Sequence, residues 1–210
     1  MTSYRESTLA GFLEELASRA ATPGGGCASA LSGALAAGLV AMVARTTAGS
    51  AAFADRAASM DEITAEADGL RLALEELVDS DAAAFQQVLA AFRLPKDTPE
   101  QKAERSRAIQ DGYRAAVEPP VLVCRHALRV LELAALVAEQ ASPNVVSDAG
   151  VAALLAASAL DGAALNVEIN LGSIKDEEYR EQRAAAVREL RADAGALREQ
   201  ALGRVHAQLG

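Results

Sequence analysis

Few residues in this sequence have the type and placement to do chemistry, and an aspartate comes first among them. Between Ala57 and Phe92, the residues Ile63, Ala67, Leu70, Leu74, Leu77, Asp81, Phe85, Val88 and Phe92 recur at spacings of three and four, the period of one helix face. Asp81 is the one charged member of that stripe, a turn from Leu77 on one side and from Phe85 on the other. Burying an unpaired carboxylate is expensive. Asp81 therefore either pairs with something structural or is held where its proton is used, because desolvation gives a carboxyl the raised pKa that acid–base work needs.

Asn166 and Asn170 lie one turn apart on a largely apolar stretch, so both amides leave one helix face and could grip a heterocycle with several donors and acceptors. Asp148 shares that face by angle, but eighteen residues of helix, about 27 Å at the standard rise, separate it from Asn166. A carboxylate at a helix start also has a structural use, its attraction to the helix dipole. Gly24, Gly25 and Gly26 free backbone amides at the head of an apolar helix, a geometry that draws anions, although glycine is equally the default residue of a loop. Cys27 follows directly. The helix start would lower its thiol pKa, while the plainer reading is a small buried side chain. His126 and His206 lack ligand spacing, and there is no Cys-x-x-Cys or Gly-x-Ser-x-Gly, so neither a metal site nor a standard nucleophile is predicted.

The elements that must position these residues are helices. The chain has 210 residues, 51% hydrophobic but only 3% aromatic, and it is rich in alanine, the composition of closely packed helices. Spacing predicts helices over about Ser7–Ala21, Cys27–Thr47, Ala57–Phe92, and from Thr98-Pro99 as N-cap and first helical residue. Pro119-Pro120 should kink that fourth segment, with helix resuming over Leu122–Ala141. A loop over Ser142–Ser147 then precedes a helix from Ser147-Asp148 to about Leu171, and the last runs from Asp176 to Leu209. The second helix is apolar on every face and is expected at the centre of the bundle, enclosed by the others. The prediction is an all-α bundle of long helices around a small-residue helix, one domain over residues 1–210.

Bulk properties narrow the partners. The formal charge of −9 is dispersed, so nucleic acid and anionic membrane surfaces are disfavoured, and a small molecule or a protein is expected. Ala20–Ala44 has no charge and could span a bilayer by length, but its glycine, serine and alanine content argues against that. Two cysteines without framework spacing, and no secretory leader, point to a reducing cytoplasm.

Several short segments stand in a specific order. Phe12-Leu13-Glu14-Glu15-Leu16-Ala17-Ser18, Pro23-Gly24-Gly25-Gly26, Gly33-Ala34-Leu35 and Met42-Val43 come first. Asp81-Ala82-Ala83-Ala84-Phe85 and Leu94-Pro95-Lys96 follow. Pro143-Asn144, Ser147-Asp148-Ala149-Gly150-Val151-Ala152-Ala153 and Asn166-Val167-Glu168-Ile169-Asn170-Leu171 complete the series. In this order they resemble the cyclodeaminase/cyclohydrolase family of folate enzymes, over nearly the whole chain.

That resemblance implies an all-helical homodimer that acts on tetrahydrofolate derivatives without a metal or nicotinamide. It implies chemistry at a tetrahedral carbon between N5 and N10, reached either by hydrolysis of the 5,10-methenyl cation or by cyclising 5-formiminotetrahydrofolate with loss of ammonia. Asp81 is then the first candidate for the carboxylate that offsets the cation and moves a proton, and Asp148 the second. Gly24, Gly25, Gly26, Cys27, Asn144, Asn166 and Asn170 are the implied substrate contacts. The chain departs from the family at Cys27, where serine is usual. It also departs at Thr46-Thr47-Ala48-Gly49-Ser50-Ala51-Ala52-Phe53, where the family often has a lysine and a tyrosine. A noncatalytic folate binder and a helical scaffold are the competing readings, the first favoured by the missing lysine and the second opposed by Asp81.

Overall fold

Alanine at the packed positions decides the architecture, because short side chains let helix axes come close. A computed structural model describes residues 3–210, 87% helical and without a strand among those residues. Its α-helices are α1 (Leu9–Leu16), α2 (Gly25–Ala48), α3 (Ala57–Phe92), α4 (Pro99–Gln140), α5 (Val146–Leu171) and α6 (Glu177–Leu209). Along α2 the run Ala30, Ala34, Ala37, Ala41 and Ala44 is buried, and α5 answers with Ala149, Ala152, Ala153, Ala156, Ala159 and Ala163. Both helices are apolar and long enough to cross a membrane by composition, yet 61% and 56% of their apolar windows are buried inside the bundle.

The long amphipathic helices follow the predicted spans. Thr98 caps α4 with its side chain accepting from the Gln101 amide, and Gln101 reaches back to the Thr98 amide, with Pro99 as first helical residue. Asp176 caps α6 in the same way by accepting from the Tyr179 amide. On α6 the seam Val187, Ala194, Ala201 and Val205 is buried, with Leu190 and Leu197 packed beside it.

Other expectations are corrected. The first helix is shorter than Ser7–Ala21. A 3-10 turn covers Tyr4–Glu6, and α1 ends at Leu16, where the Ser18 hydroxyl accepts from the Ala20 amide and offers the backbone a turn in place of helix. Only Phe12 of α1 is buried, while Leu9 and Leu13 are exposed. The helix after the glycine run begins at Gly25, so two of the three glycines are helical rather than loop. A 3-10 turn over Pro143–Val145 carries the chain into α5 at Val146, and no side chain caps it. Nor is α2 enclosed all round: Leu35 is 55% exposed and Leu31 and Leu39 are partly open, while the densest burial falls on α4 from Val117 to Ala138.

Candidate active site

The site is built where the head of α2 meets the middle of α3. Leu77, buried, and Phe85, half-buried, bracket Asp81 on α3, so packing aims its carboxylate at the first turn of α2. There the chain has no side chain to spare. A Cβ on Gly26 would collide with the Asp81 carboxylate, so glycine at 26 permits the close approach of backbone and acid. The Cys27 thiol donates to Asp81 Oδ2 at 3.3 Å.

Electrostatics follow from that burial. Desolvation holds the Asp81 carboxyl above the usual carboxylate range, opposed by the hydrogen bonds that Cys27 offers from its thiol and its backbone. Cys27 is fully buried, and its thiol is pushed up to about 12, first by burial and then by the Asp81 charge. The lowered thiol pKa expected at a helix start is therefore absent, because dehydration and a neighbouring carboxylate outweigh the helix dipole. Cys27 is a hydrogen-bond donor to Asp81, with its thiol kept protonated.

Asn166 reaches the same place from α5. A Cβ on Gly25 would stand 3.4 Å from its amide nitrogen. That nitrogen donates to the Gly162 carbonyl at 2.8 Å, which leaves the side-chain oxygen without a donor from the protein. Asn170, one turn on, is engaged across the helix interface: its amide donates to the Ala116 carbonyl on α4 at 2.9 Å. Gly24, Gly25, Gly26, Cys27, Asp81 and Asn166 are thus one group, with Asn170 at its edge.

Asn144 and Asp148 are not part of it. Asn144 is exposed in the 3-10 turn, and Asp148 sits half-buried in the first turn of α5, about 27 Å of helix from Asn166. The stretch Thr46–Phe53 lies at that same far end. The Ser142 amide donates to the Thr47 hydroxyl at 3.2 Å, and Arg56 donates to the Gln140 carbonyl at 2.9 Å. The absent family lysine and tyrosine are therefore remote from Asp81 within one chain.

The sequence reading missed a set of polar contacts made by α3 residues close to Asp81 along the chain. Asp79 accepts from the Ser3 hydroxyl at 2.5 Å and from the Tyr4 amide at 2.6 Å. The Tyr4 hydroxyl and the Gln86 amide both donate to the Thr22 hydroxyl, at 3.2 and 3.3 Å. Together they fasten the N-terminal segment and the loop leading into the glycines to α3. Only the closeness of Asp79 and Gln86 to Asp81 along the chain hints at them, since Tyr4 and Thr22 belong to no periodic pattern. Among the described residues no three His, Cys, Asp or Glu side chains are grouped to hold a metal ion.

The arrangement sets a half-buried carboxyl with a raised pKa beside the head of α2 and near an amide oxygen that no protein group donates to. Comparison with known proteins agrees on the chemistry to consider. The family described as formiminotransferase-cyclodeaminase matches residues 8–189. A methenyltetrahydrofolate cyclohydrolase of Methylorubrum extorquens is 42% identical over 192 residues, 91% of this chain and 92% of that one. A formimidoyltransferase-cyclodeaminase of Mus musculus is 34% identical over 86% of this chain, which spans only 33% of the mouse protein. The crystal structure of a formiminotetrahydrofolate cyclodeaminase from Thermotoga maritima superposes with a TM-score of 0.87 at 26% identity, over 98% of both chains. The chain belongs to the formiminotransferase-cyclodeaminase family.

Proposed function

We propose that this chain is a folate one-carbon enzyme that acts at the N5/N10 bridge, first of all as a methenyltetrahydrofolate cyclohydrolase. The observation that carries the reading is the Asp81 carboxylate, packed against Gly26 and Cys27 with its pKa raised. The substrate follows from the end-to-end likeness to an enzyme named for that reaction.

In the hydrolysis, water adds to the bridging carbon of the 5,10-methenyl cation. Ionised Asp81 offsets the positive charge and takes the proton as the C–O bond forms. The tetrahedral carbon then releases N5, which leaves with its electron pair and receives a proton. The formyl group stays on N10, and one proton is released to solvent overall. A carboxylate whose pKa burial has raised is the stronger base for the first step. In this scheme the Asn166 side-chain oxygen accepts from a ring N–H, a reading supported by its having no donor from the protein. The substrate brings its own electrophilic cation, so the scheme calls on neither a metal nor a nicotinamide.

A second reading is favoured by the Thermotoga maritima structure. In cyclodeamination N10 attacks the formimino carbon, Asp81 takes the N10 proton and hands it to the departing ammonia, a lyase reaction through the same kind of tetrahedral carbon. Purified protein incubated separately with 5,10-methenyltetrahydrofolate and 5-formiminotetrahydrofolate, followed optically, decides between them. Faster turnover of the methenyl substrate is expected. Binding of both without turnover of either would make the chain a noncatalytic folate binder.

We further read the chain as a cytoplasmic homodimer that engages neither nucleic acid nor membrane. The dispersed charge of −9 and the unpaired cysteines support the first and last parts. Exposed Leu35, Leu154, Leu165 and Ile169 support a second copy as their cover. Any part that Asp148 plays at the Asp81 site requires that second copy, given the length of α5. A monomer by light scattering at micromolar concentration would contradict the dimer.

A further inference from the structure

The chain that enters α2 is pinned at one residue. Between the end of α1 at Leu16 and the start of α2 at Gly25, the Thr22 hydroxyl accepts from the Tyr4 hydroxyl at 3.2 Å and from the Gln86 amide at 3.3 Å. Among the described residues, the other hydrogen bonds of that stretch stay within it or run to α1 or α2, from the Ala17 amide to Leu13, Ser18 to Glu15, Ala20 to Ser18 and Ala28 to Gly24. Thr22 is half-buried and Pro23 beside it is buried, so the pin sits at the edge of the core.

Tyr4 is itself fixed at three points. Its backbone amide donates to Asp79, its ring meets the buried Phe12 edge-on at a centroid distance of 6.1 Å, and its hydroxyl ends on Thr22. Asp79 and Gln86 stand about two turns apart on α3 and share one helix face. Asp81 lies about 140° around the helix from Gln86 and about 160° from Asp79 by the helical period.

Gly26, where a Cβ would meet the Asp81 carboxylate, comes four positions after Thr22. The chain from Thr22 to Gly26 therefore bends around α3, with its near end pinned to the side away from Asp81. Four residues span at most about 14 Å when extended, little more than the width of about 10–12 Å of a helix with its side chains, so the segment has little slack. Where Thr22 is held then sets where the head of α2 meets Asp81. That head also carries Cys27, fully buried, whose thiol donates to the same carboxylate.

We propose that Thr22, gripped by Tyr4 and Gln86, is a positioning residue that seats the first turn of α2 on Asp81, so that the N-terminal segment serves turnover as well as the fold. Its bearing on turnover rests on the Asp81 reading above, whereas the seating itself does not.

The test follows alkylation of Cys27 and Cys124 by iodoacetamide, located by peptide mass spectrometry, beside kcat for 5,10-methenyltetrahydrofolate. Both thiols are fully buried; Cys124, between α4 and α5, reports global opening, and Cys27 reports the head of α2. In Thr22→Val, which keeps the shape and loses the hydroxyl, Cys27 should react about tenfold faster with Cys124 unchanged, the effect of two lost hydrogen bonds on a local opening. Its kcat should also fall by about tenfold, because a head held less firmly leaves the carboxylate away from its productive position. Thr22→Ser, which keeps the hydroxyl, should restore both values. Tyr4→Phe and Gln86→Leu should each expose Cys27 in part, and add nothing on a Thr22→Val background. Ser18→Ala, which loses only a bond inside the loop, should leave Cys27 protected. Unchanged Cys27 labelling in Thr22→Val overturns the proposal, as does a rise in Cys27 and Cys124 together, or full kcat with Cys27 exposed. Failure of the Asp81 reading shows separately, as wild-type turnover by Asp81→Asn, and leaves the labelling to judge the seating.

Discussion

The amide of Asn170 donates to the carbonyl of Ala116 at 2.9 Å, and Ala116 is the residue whose helical donor is missing because position 120 is proline. Pro120 removes the i to i−4 bond that the Ala116 carbonyl would accept. Asn170 supplies the bond from the neighbouring helix, and α4 runs on from Pro99 to Gln140. A residue that the sequence offers as a ligand contact is thereby shown holding two helices together, with its side-chain oxygen still to spare.

Asn170→Ala should therefore cost about 1 kcal/mol in chemical denaturation, the net worth of a neutral hydrogen bond. The same change made on a Pro120→Ala background should cost less, because the restored amide at 120 serves Ala116 from within α4. Equal costs in the two backgrounds would show that Asn170 does not compensate for the proline.

The fit between Gly26 and Asp81 predicts a sharp positional contrast. Gly26→Ala should lower turnover as well as stability, since the new methyl must displace the carboxylate. Gly24→Ala adds a Cβ with nothing within 4 Å, so its stability should stay within about 0.5 kcal/mol of wild type. Gly26→Ala with unchanged kcat would show that the carboxylate need not rest where the structure puts it.

Cys27 should behave as a donor to Asp81. With its thiol at about 12 it remains protonated at working pH, so Cys27→Ser should fold and turn over, and wild-type protein should show no mass shift after incubation with substrate. A hydroxyl donates more strongly than a thiol and favours the ionised acid, so the acidic limb of the pH–rate profile should move down in Cys27→Ser and up in Cys27→Ala. An inactive serine variant together with a covalent adduct on the wild type would establish a nucleophile instead.

How much of this was legible in the sequence depended on whether a signal was local. Periodicity found α3 and α6, and the Thr98-Pro99 pair marked the start of α4, because spacing and capping are written in neighbouring residues. Asp81 stood out for the same reason, as a charge in an apolar stripe. What could not be read is what crosses between helices. The glycine run looked like a loop, since nothing local says that Gly25 and Gly26 are helical to make room for Asn166 and Asp81. For Cys27 the sequence left two readings, a thiol lowered by the helix start or a small buried side chain, and burial, followed by the charge of a carboxylate 54 residues away, decides for the second. Asp148 and Asn144 were grouped with Asp81 by resemblance, and α5 separates them in the single chain.

Asp81 also sets a dependence of stability on pH. Its carboxyl titrates higher in the folded chain than the usual 3.8, so the folded state holds the proton more tightly than the unfolded one. Folding is then unpenalised below the unfolded pKa, loses stability as pH rises, and bears the full penalty above the folded pKa. Asp81→Asn removes that penalty. Its Tm should exceed that of wild type at neutral pH, with the difference closing as pH falls through the carboxylate range. A variant that is less stable at pH 7 and gains on wild type in acid would reverse the assigned direction.

The most direct measurement is the turnover of 5,10-methenyltetrahydrofolate by Asp81→Asn beside wild type, with circular dichroism and Tm recorded on both. The substitution nearly conserves volume and keeps an oxygen for Cys27 to donate to, so the fold should persist. Turnover should fall by at least about tenfold, the lower range for a positioned acid–base group. A folded Asp81→Asn enzyme that turns over at the wild-type rate would contradict the assignment of Asp81 to the proton transfer.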